Sequence, residues 1–208
     1  ITAWGHSEFG GSGAPTDSGY THIFSANYAF AAMKAGGGIT AWGHSGFGGS
    51  GAPADIGYTQ IGGNWWAFAA MKSDGSITAW GHVDRGGSGE PTGNGYTQVV
   101  GTIATFAALK ADGSITAWGH ADHGGSGAPT DNGYTQIFSN NYDAFAALKP
   151  DGSITAWGNA DHGGSGAPTD NGYTQVFSNS TAFAAMKPDG SITAWGHADH
   201  GGSGAPTD

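Results

Sequence analysis

The string Ile-Thr-Ala-Trp-Gly begins at positions 1, 39, 77, 115, 154 and 192, and aligning on it leaves none of the 208 residues outside a tandem repeat. The units run 1–38, 39–76, 77–114, 115–153 and 154–191, with a partial unit at 192–208. A period of this size belongs to propellers, solenoids and open arrays, in which each unit buries its faces against its neighbours. One repeat domain over 1–208 is therefore expected. Closing a propeller usually asks the two chain ends for complementary strands of one blade, but here both ends carry the same half, 1–17 and 192–208. Either six sectors form with one blade incomplete, or the chain is an excerpt of a longer, open array. The start at Ile1 and the stop in mid-turn favour the excerpt. Units this alike can also pair between chains, which adds a fibre built by strand or unit addition as an alternative.

Within the fourth unit, Ile115-Thr116-Ala117-Trp118 reads as a short strand of β-branched and aromatic residues. The stretch 124–133 is too rich in Gly and Pro for regular structure. A second strand is expected over 134–138 and a third over 144–149, before Pro150-Asp151-Gly152 turns the chain into the next unit. The Ala-rich third segment is too short between its flanking breakers for a stable helix. As a strand it puts Phe145 and Ala147 on one face and Ala146 and Leu148 on the other, both apolar, as in a sheet sandwiched between two others. The expected fold is all-β, a propeller-like array of three-stranded antiparallel blades, with the six Trp of Ala-Trp-Gly as core anchors.

The 41 glycines do not fall every third residue, which excludes collagen. Sixteen acidic residues against six basic ones give a net charge of −10, a poor match for nucleic acid or an anionic membrane. No apolar run is long enough to span a bilayer. With no cysteine, disulfides, thiolate catalysis and Cys-based metal sites are absent.

The pattern Ala-Leu-Lys-Pro-Asp-Gly-Ser-Ile-Thr-Ala-Trp-Gly, followed by a Gly-rich turn and a Pro, resembles the repeat of the regulator-of-chromosome-condensation family. It is most similar to the short-repeat branch with three-stranded blades, that of the bacterial β-lactamase inhibitory proteins. Two features depart from the family: the turn reads Gly-Gly-Ser-Gly rather than Gly-Gln-Leu-Gly, and the units do not number seven. The resemblance implies a fold; its members include an exchange factor, a light sensor and enzyme inhibitors, so it does not choose a function.

Comparing the units with one another leaves variation in two loops. In the first, after Trp-Gly, His120-Ala121-Asp122-His123 and His197-Ala198-Asp199-His200 place two imidazoles and a carboxylate within four residues. His120, Asp122, His123, His197, Asp199 and His200 are thus candidate ligands for zinc, nickel or copper. Phe9, Phe47 and Arg85 replace the second His in three copies, which weighs against a metal. The second loop, before the Ala-rich strand, carries Tyr28, Asn64, Trp65, Trp66, Asn141 and Tyr142. Rings and amides on turns are materials of protein or carbohydrate recognition. The family resemblance implies the same for Tyr28, Trp65, Trp66 and Tyr142, since the inhibitor's aromatic residues in the corresponding loops face its partner. Of the adjacent Trp65 and Trp66, one is expected to point inward and the other out. The lysines ending each third strand are expected to pair with the turn Asp beside them in the last four units.

No phosphate loop or His-Glu-x-x-His helix occurs, and Ser, His and Asp recur almost identically along the array rather than in one asymmetric constellation. The reading is a non-enzymatic scaffold without cofactor, extracellular or at the cell surface. It engages a protein or a carbohydrate through its loops, or associates with further copies, and repetition suits multivalent contact.

Overall fold

The computed structural model, which describes residues 1–205, is all-β. Five sheets follow one another along the chain, each of three antiparallel strands in sequence order. The first holds β1 (Tyr20–Ser25), β2 (Ala29–Lys34) and β3 (Ile39–Gly43), and the second β4 (Tyr58–Gly63), β5 (Ala67–Lys72) and β6 (Ile77–Gly81). The third holds β7 (Tyr96–Gly101), β8 (Thr105–Lys110) and β9 (Ile115–Gly119). The fourth holds β10 (Gln136–Ser139), β11 (Ala144–Leu148) and β12 (Ile154–Gly158). The fifth holds β13 (Gln175–Ser178), β14 (Ala182–Met186) and β15 (Ile192–Gly196). The expected three-stranded antiparallel array is what forms. Its contacts gather into two compact units that divide between Val99 and Val100, within β7. Positions 206–208, the end of the expected partial unit, lie outside the described residues. Among the described residues no helix is long and apolar enough to cross a membrane.

The Ala-rich strand is the middle one of every sheet, and in the second, third and fourth sheets it is buried on both sides. In the fourth sheet Phe145 and Ala147 join the core shared with the third, which includes Leu109, Ile115 and Ile137. Ala144, Ala146 and Leu148 face the other way, into the core shared with Val176, Phe183 and Trp195 of the fifth. Alanine at alternate positions lets the sheets approach closely, and the larger Phe and Trp fill what remains. Phe145 stacks on Trp157 of the neighbouring strand, with centroids 5.0 Å apart. The Trp157 indole Nε1–H donates to the Gly124 carbonyl at 3.2 Å, tying the sheet to the Gly-rich turn before it. Trp42, Trp80 and Trp195 make the same bond to Gly10, Gly48 and Gly163.

Two expectations need correction. Trp4 is not a core anchor: it is 83% exposed, and among the described residues no Phe stacks on it as one does on each of the five buried Ala-Trp-Gly indoles. The strand expected over 134–138 starts at Gln136; the Tyr134 amide ahead of it donates to the Gly113 carbonyl at the tip of the preceding hairpin, 3.2 Å away. The same bond joins Tyr173 to Gly152, where φ is +81° and a Cβ would run into the Tyr173 backbone, so the turn position admits only Gly.

The lysines also pair elsewhere than expected. Lys149 reaches Asp131 at 2.5 Å and Lys187 reaches Asp170 at 2.6 Å, while Lys34 and Lys72 pair with Asp17 and Asp55. These carboxylates lie in the Pro-containing loop upstream, where each also accepts the hydroxyl of the Tyr over whose ring the Lys nitrogen sits. Each is held below the ordinary aspartate value, first by its Lys and then by its Tyr. The turn aspartates are engaged locally instead: Asp151 accepts the Ser153 amide at 2.9 Å and the Ser153 hydroxyl at 2.7 Å, which lowers its pKa.

Candidate functional site: the loop edge

Both variable loops leave the sheets at the same edge. The first forms a single 3-10 turn in every copy, Ala121–His123 in the fourth unit and Ala198–His200 in the last, closed by a Gly with positive φ. Three residues per turn bring positions i and i+3 into line and send the residue between them to another side. The rings follow this rule. His120 lies 4.8 Å from His123, His197 lies 4.2 Å from His200, and in the first unit His6 lies 4.6 Å from Phe9, all between centroids. Asp122 and Asp199 stand off the line, exposed, and join neither imidazole pair. The expected ligand sets His120–Asp122–His123 and His197–Asp199–His200 are therefore not assembled, and no group of three or more His, Cys, Asp or Glu able to hold a metal occurs among the described residues.

The second loop is shaped by its first residue. Asn64 is buried; its Nδ2 donates to the Arg85 carbonyl at 2.8 Å, and its Oδ1 accepts the amides of Trp66 and Ala67 at 2.7 Å each. Asn140 and Asn179 do the same, reaching the carbonyls of His162 and His200 at 2.7 Å. Each Asn thus clips the two loops of one sheet together. Asn64 is a clip rather than a contact residue, since its amide is spent inside the protein. Asn141 beside Asn140 is exposed.

The aromatic candidates part company on the same clip. Trp65, at its tip, is 45% exposed, whereas Trp66 turns in and stacks on Phe47 at 4.6 Å. The Arg85 guanidinium lies 4.7 Å above the Trp66 ring. Tyr28 sits between Phe9 at 4.5 Å and Phe47 at 4.7 Å. Phe9, Tyr28, Phe47, Trp66 and Arg85 therefore form one ladder in which the first-loop and second-loop residues alternate. Tyr142 is 42% exposed and meets His162 edge-on at 5.7 Å.

The part of the chain from Val100 onward carries a polar version of the ladder. Asp143, buried behind Tyr142, accepts His162 Nδ1 at 2.7 Å, while His123 Nδ1 lies 3.3 Å from its other oxygen, outside hydrogen-bond geometry. Sequence reasoning missed Asp143 and the ladder. The signal was there: residues 9, 28, 47, 66 and 85 are nineteen apart, half the repeat, so the two loops interleave.

Neighbouring loops are also joined through their backbones, Asn27 N–H to the Trp65 carbonyl at 3.1 Å and Ile103 N–H to the Tyr142 carbonyl at 2.8 Å. Each unit thus has a firm loop edge with one of these rings standing out of it, Trp65 in the first and Tyr142 in the second.

No family model and no curated protein matches the sequence. Solved structures do match. The entire ectodomain of the receptor kinase CR4 from Physcomitrella patens superposes with a TM-score of 0.65 at 15% identity, covering 94% of this chain and 57% of that one. Prp20p from Saccharomyces cerevisiae, which is yeast RCC1, gives 0.58 at 15% identity over 86% of this chain and 57% of its own. The fold is that of the RCC1-like repeat proteins. The CRINKLY WD40 ectodomain of the Arabidopsis thaliana receptor kinase ACR4 gives 0.61 at 17% identity, covering 91% and 67%. This chain spans less than two thirds of the CR4 ectodomain and of Prp20p.

Proposed function

We propose that the chain is a non-catalytic recognition scaffold that binds a protein partner through the loop edges of its two units, with Trp65 as the anchor of the first and Tyr142 as the anchor of the second. The observation that carries this reading is their exposure on loops clipped by Asn64 and Asn140, in a chain whose five other Ala-Trp-Gly indoles after Trp4 are buried. A large ring held still before binding loses little conformational freedom on contact, which is why Trp and Tyr dominate binding hot spots. Tyr28 and Trp66 support the edge from below, and exposed Asn141 supplies an amide beside Tyr142. Repetition of the edge suits several weak contacts acting together.

Placement outside the cell belongs to the same proposal. The CR4 and ACR4 ectodomains support it, while Prp20p, with its binding properties to Gsp1p and histones, supports only the protein nature of the partner.

The test is affinity purification from the source cells, followed by equilibrium binding of the recovered protein to the wild type, Trp65→Ala and Tyr142→Ala. Each substitution should weaken binding roughly tenfold or more while leaving the fold intact. Unchanged affinity in both variants refutes the assignment. Binding on a glycan array that disappears in Trp65→Ala moves the site to the carbohydrate class.

A further inference from the structure

Three asparagines stand directly before a glycine: Asn94, Asn132 and Asn171, at one place in the Pro-containing loop of the third, fourth and fifth units. Ser18 and Ile56 hold that place in the first two units. Unlike Asn64, Asn140 and Asn179, whose amides are spent in the clips, these three are exposed on loops.

An Asn-Gly pair is open to deamidation, because glycine has no side chain to hinder attack by its own amide nitrogen on the asparagine Cγ. The N–Cγ bond forms, the Cγ–Nδ2 bond breaks, and ammonia leaves with the proton of the glycine amide, closing a succinimide. Water then opens the ring at either carbonyl, giving aspartate or isoaspartate. The sum is amide plus water to carboxylate plus ammonium.

The first step needs the glycine amide to be free. In the fold each of the three donates to the tip of the preceding hairpin: Gly95 to the Asp74 carbonyl at 2.8 Å, Gly172 to that of Asp151 at 3.0 Å and Gly133 to that of Asp112 at 3.3 Å. Only the Gly133 bond lies beyond the ordinary range for N–H···O contacts. The hairpin tips differ as well. Pro150 precedes Asp151 and stiffens the turn that holds Gly172, whereas Ala111 precedes Asp112.

We propose that Asn132 is a site of spontaneous deamidation in the folded protein, while Asn94 and Asn171 are shielded by their hairpins. Local sequence gives no reason for Asn132 and Asn171 to differ, since residues 128–136 and 167–175 both read Ala-Pro-Thr-Asp-Asn-Gly-Tyr-Thr-Gln. Any difference between them is imposed by the fold.

The product acts on the seam between the third and fourth sheets. Just before Asn132, Asp131 holds Lys149 at 2.5 Å and accepts the Tyr134 hydroxyl at 2.9 Å. Just after it, the Tyr134 amide donates to the Gly113 carbonyl at 3.2 Å. Isoaspartate at 132 lengthens the main chain by one methylene between these two anchors, and either product puts a new negative charge beside Asp131. The Tyr134 amide therefore loses its hold on the hairpin tip as the protein ages.

The test is to age the full chain at neutral pH, well below its Tm, and to map the conversion by mass spectrometry. Cleavage after Trp and Tyr puts the three sites in peptides 81–96, 119–134 and 158–173, whose sequences differ, and isoaspartyl methyltransferase labelling marks the isoaspartate. Asn132 should convert roughly fivefold faster than Asn171 or Asn94, the effect of about one weak hydrogen bond. In denaturant Asn132 and Asn171 should convert at one rate. On ageing, the Tyr134 amide of the wild type should lose protection from hydrogen exchange, whereas Asn132→Ser, carrying the residue of the first unit, should keep it. Equal rates at Asn132 and Asn171 in the folded chain overturn the proposal, as does an Asn132 that stays intact when folded while the denatured chain converts. A Tyr134 amide that fades equally in Asn132→Ser overturns the effect on the seam.

Discussion

Replacing Asn140 by Ala tests whether one buried side chain holds the loop edge in place. Its Oδ1 accepts the amides of Tyr142, Asp143 and Ala144 at 3.1, 2.9 and 3.0 Å, and its Nδ2 donates to the His162 carbonyl at 2.7 Å. The Tyr142 amide lies at a partly exposed tip and can turn to water. The amides of Asp143 and Ala144 are buried and keep no substitute. A buried group left without its partner costs about 1–3 kcal/mol, and two such amides with partial relaxation put the loss at about 3 kcal/mol. For a chain of this size that corresponds to a fall in Tm of roughly 6–12 °C. Asn179→Ala, at a more exposed clip, should cost less, about 1 kcal/mol. The first unit supplies the reverse experiment, since Ala26 stands where the clip would be, so Ala26→Asn should hold or raise Tm. Thermal unfolding followed by circular dichroism measures all three. Equal losses for Asn140→Ala and Asn179→Ala, or a fall in Tm of only a degree or two for Asn140→Ala, would refute the reasoning.

Acid should weaken the fold through its aspartates. Asp17, Asp55, Asp131 and Asp170 beside lysines, and Asp74, Asp112, Asp151 and Asp189 beside serines, all have folded pKa values below the ordinary 3.8. Their stabilisation is complete above that value and is lost as pH falls below it towards the folded pKa. Tm measured from neutral pH downward should hold to about pH 5 and then drop, and Asp151→Asn should make the drop shallower; an identical acid limb in that variant would contradict the assignment. Gly152→Ala combines positive φ with a clash against the Tyr173 backbone, whereas at Gly133 φ is +86° but the Cβ would meet nothing. Chemical denaturation should show a loss of about 1–2 kcal/mol for Gly133→Ala and a larger one for Gly152→Ala; equal losses would mean that the hairpin tip does not abut the next sheet.

How much of this was legible depends on the range of each interaction. The alternation of Phe145 and Ala147 with Ala146 and Leu148 declares a strand covered on both faces, because period two and small side chains are local facts. The 3-10 turn after Trp-Gly is too short to leave a period, so the spacing of His120, Asp122 and His123 looked like a ligand set although the turn splays it. Lys149 has Asp151 two residues away, and only the packing of the Pro-containing loop against the strand end reveals that Asp131 is its partner. Asn64 resembled a contact residue because nothing in its neighbourhood announces the Arg85 carbonyl that consumes it. Trp4 carries the same motif as Trp157, and its exposure follows from what lies against it rather than from what it is.

The central claim is that within each unit sheet seats on sheet with an indole fixed in the core between them, and hydrogen exchange of the indole N–H groups tests it most directly. In a nitrogen-labelled sample the Nε1–H groups of Trp42, Trp80, Trp157 and Trp195, each buried and bonded to a glycine carbonyl, should exchange slowest, at rates that follow global unfolding. Those of Trp4 and Trp65 should be gone by the first spectrum. Similar rates for all the indoles, or slow exchange at Trp4 together with fast exchange at Trp157, would contradict the account.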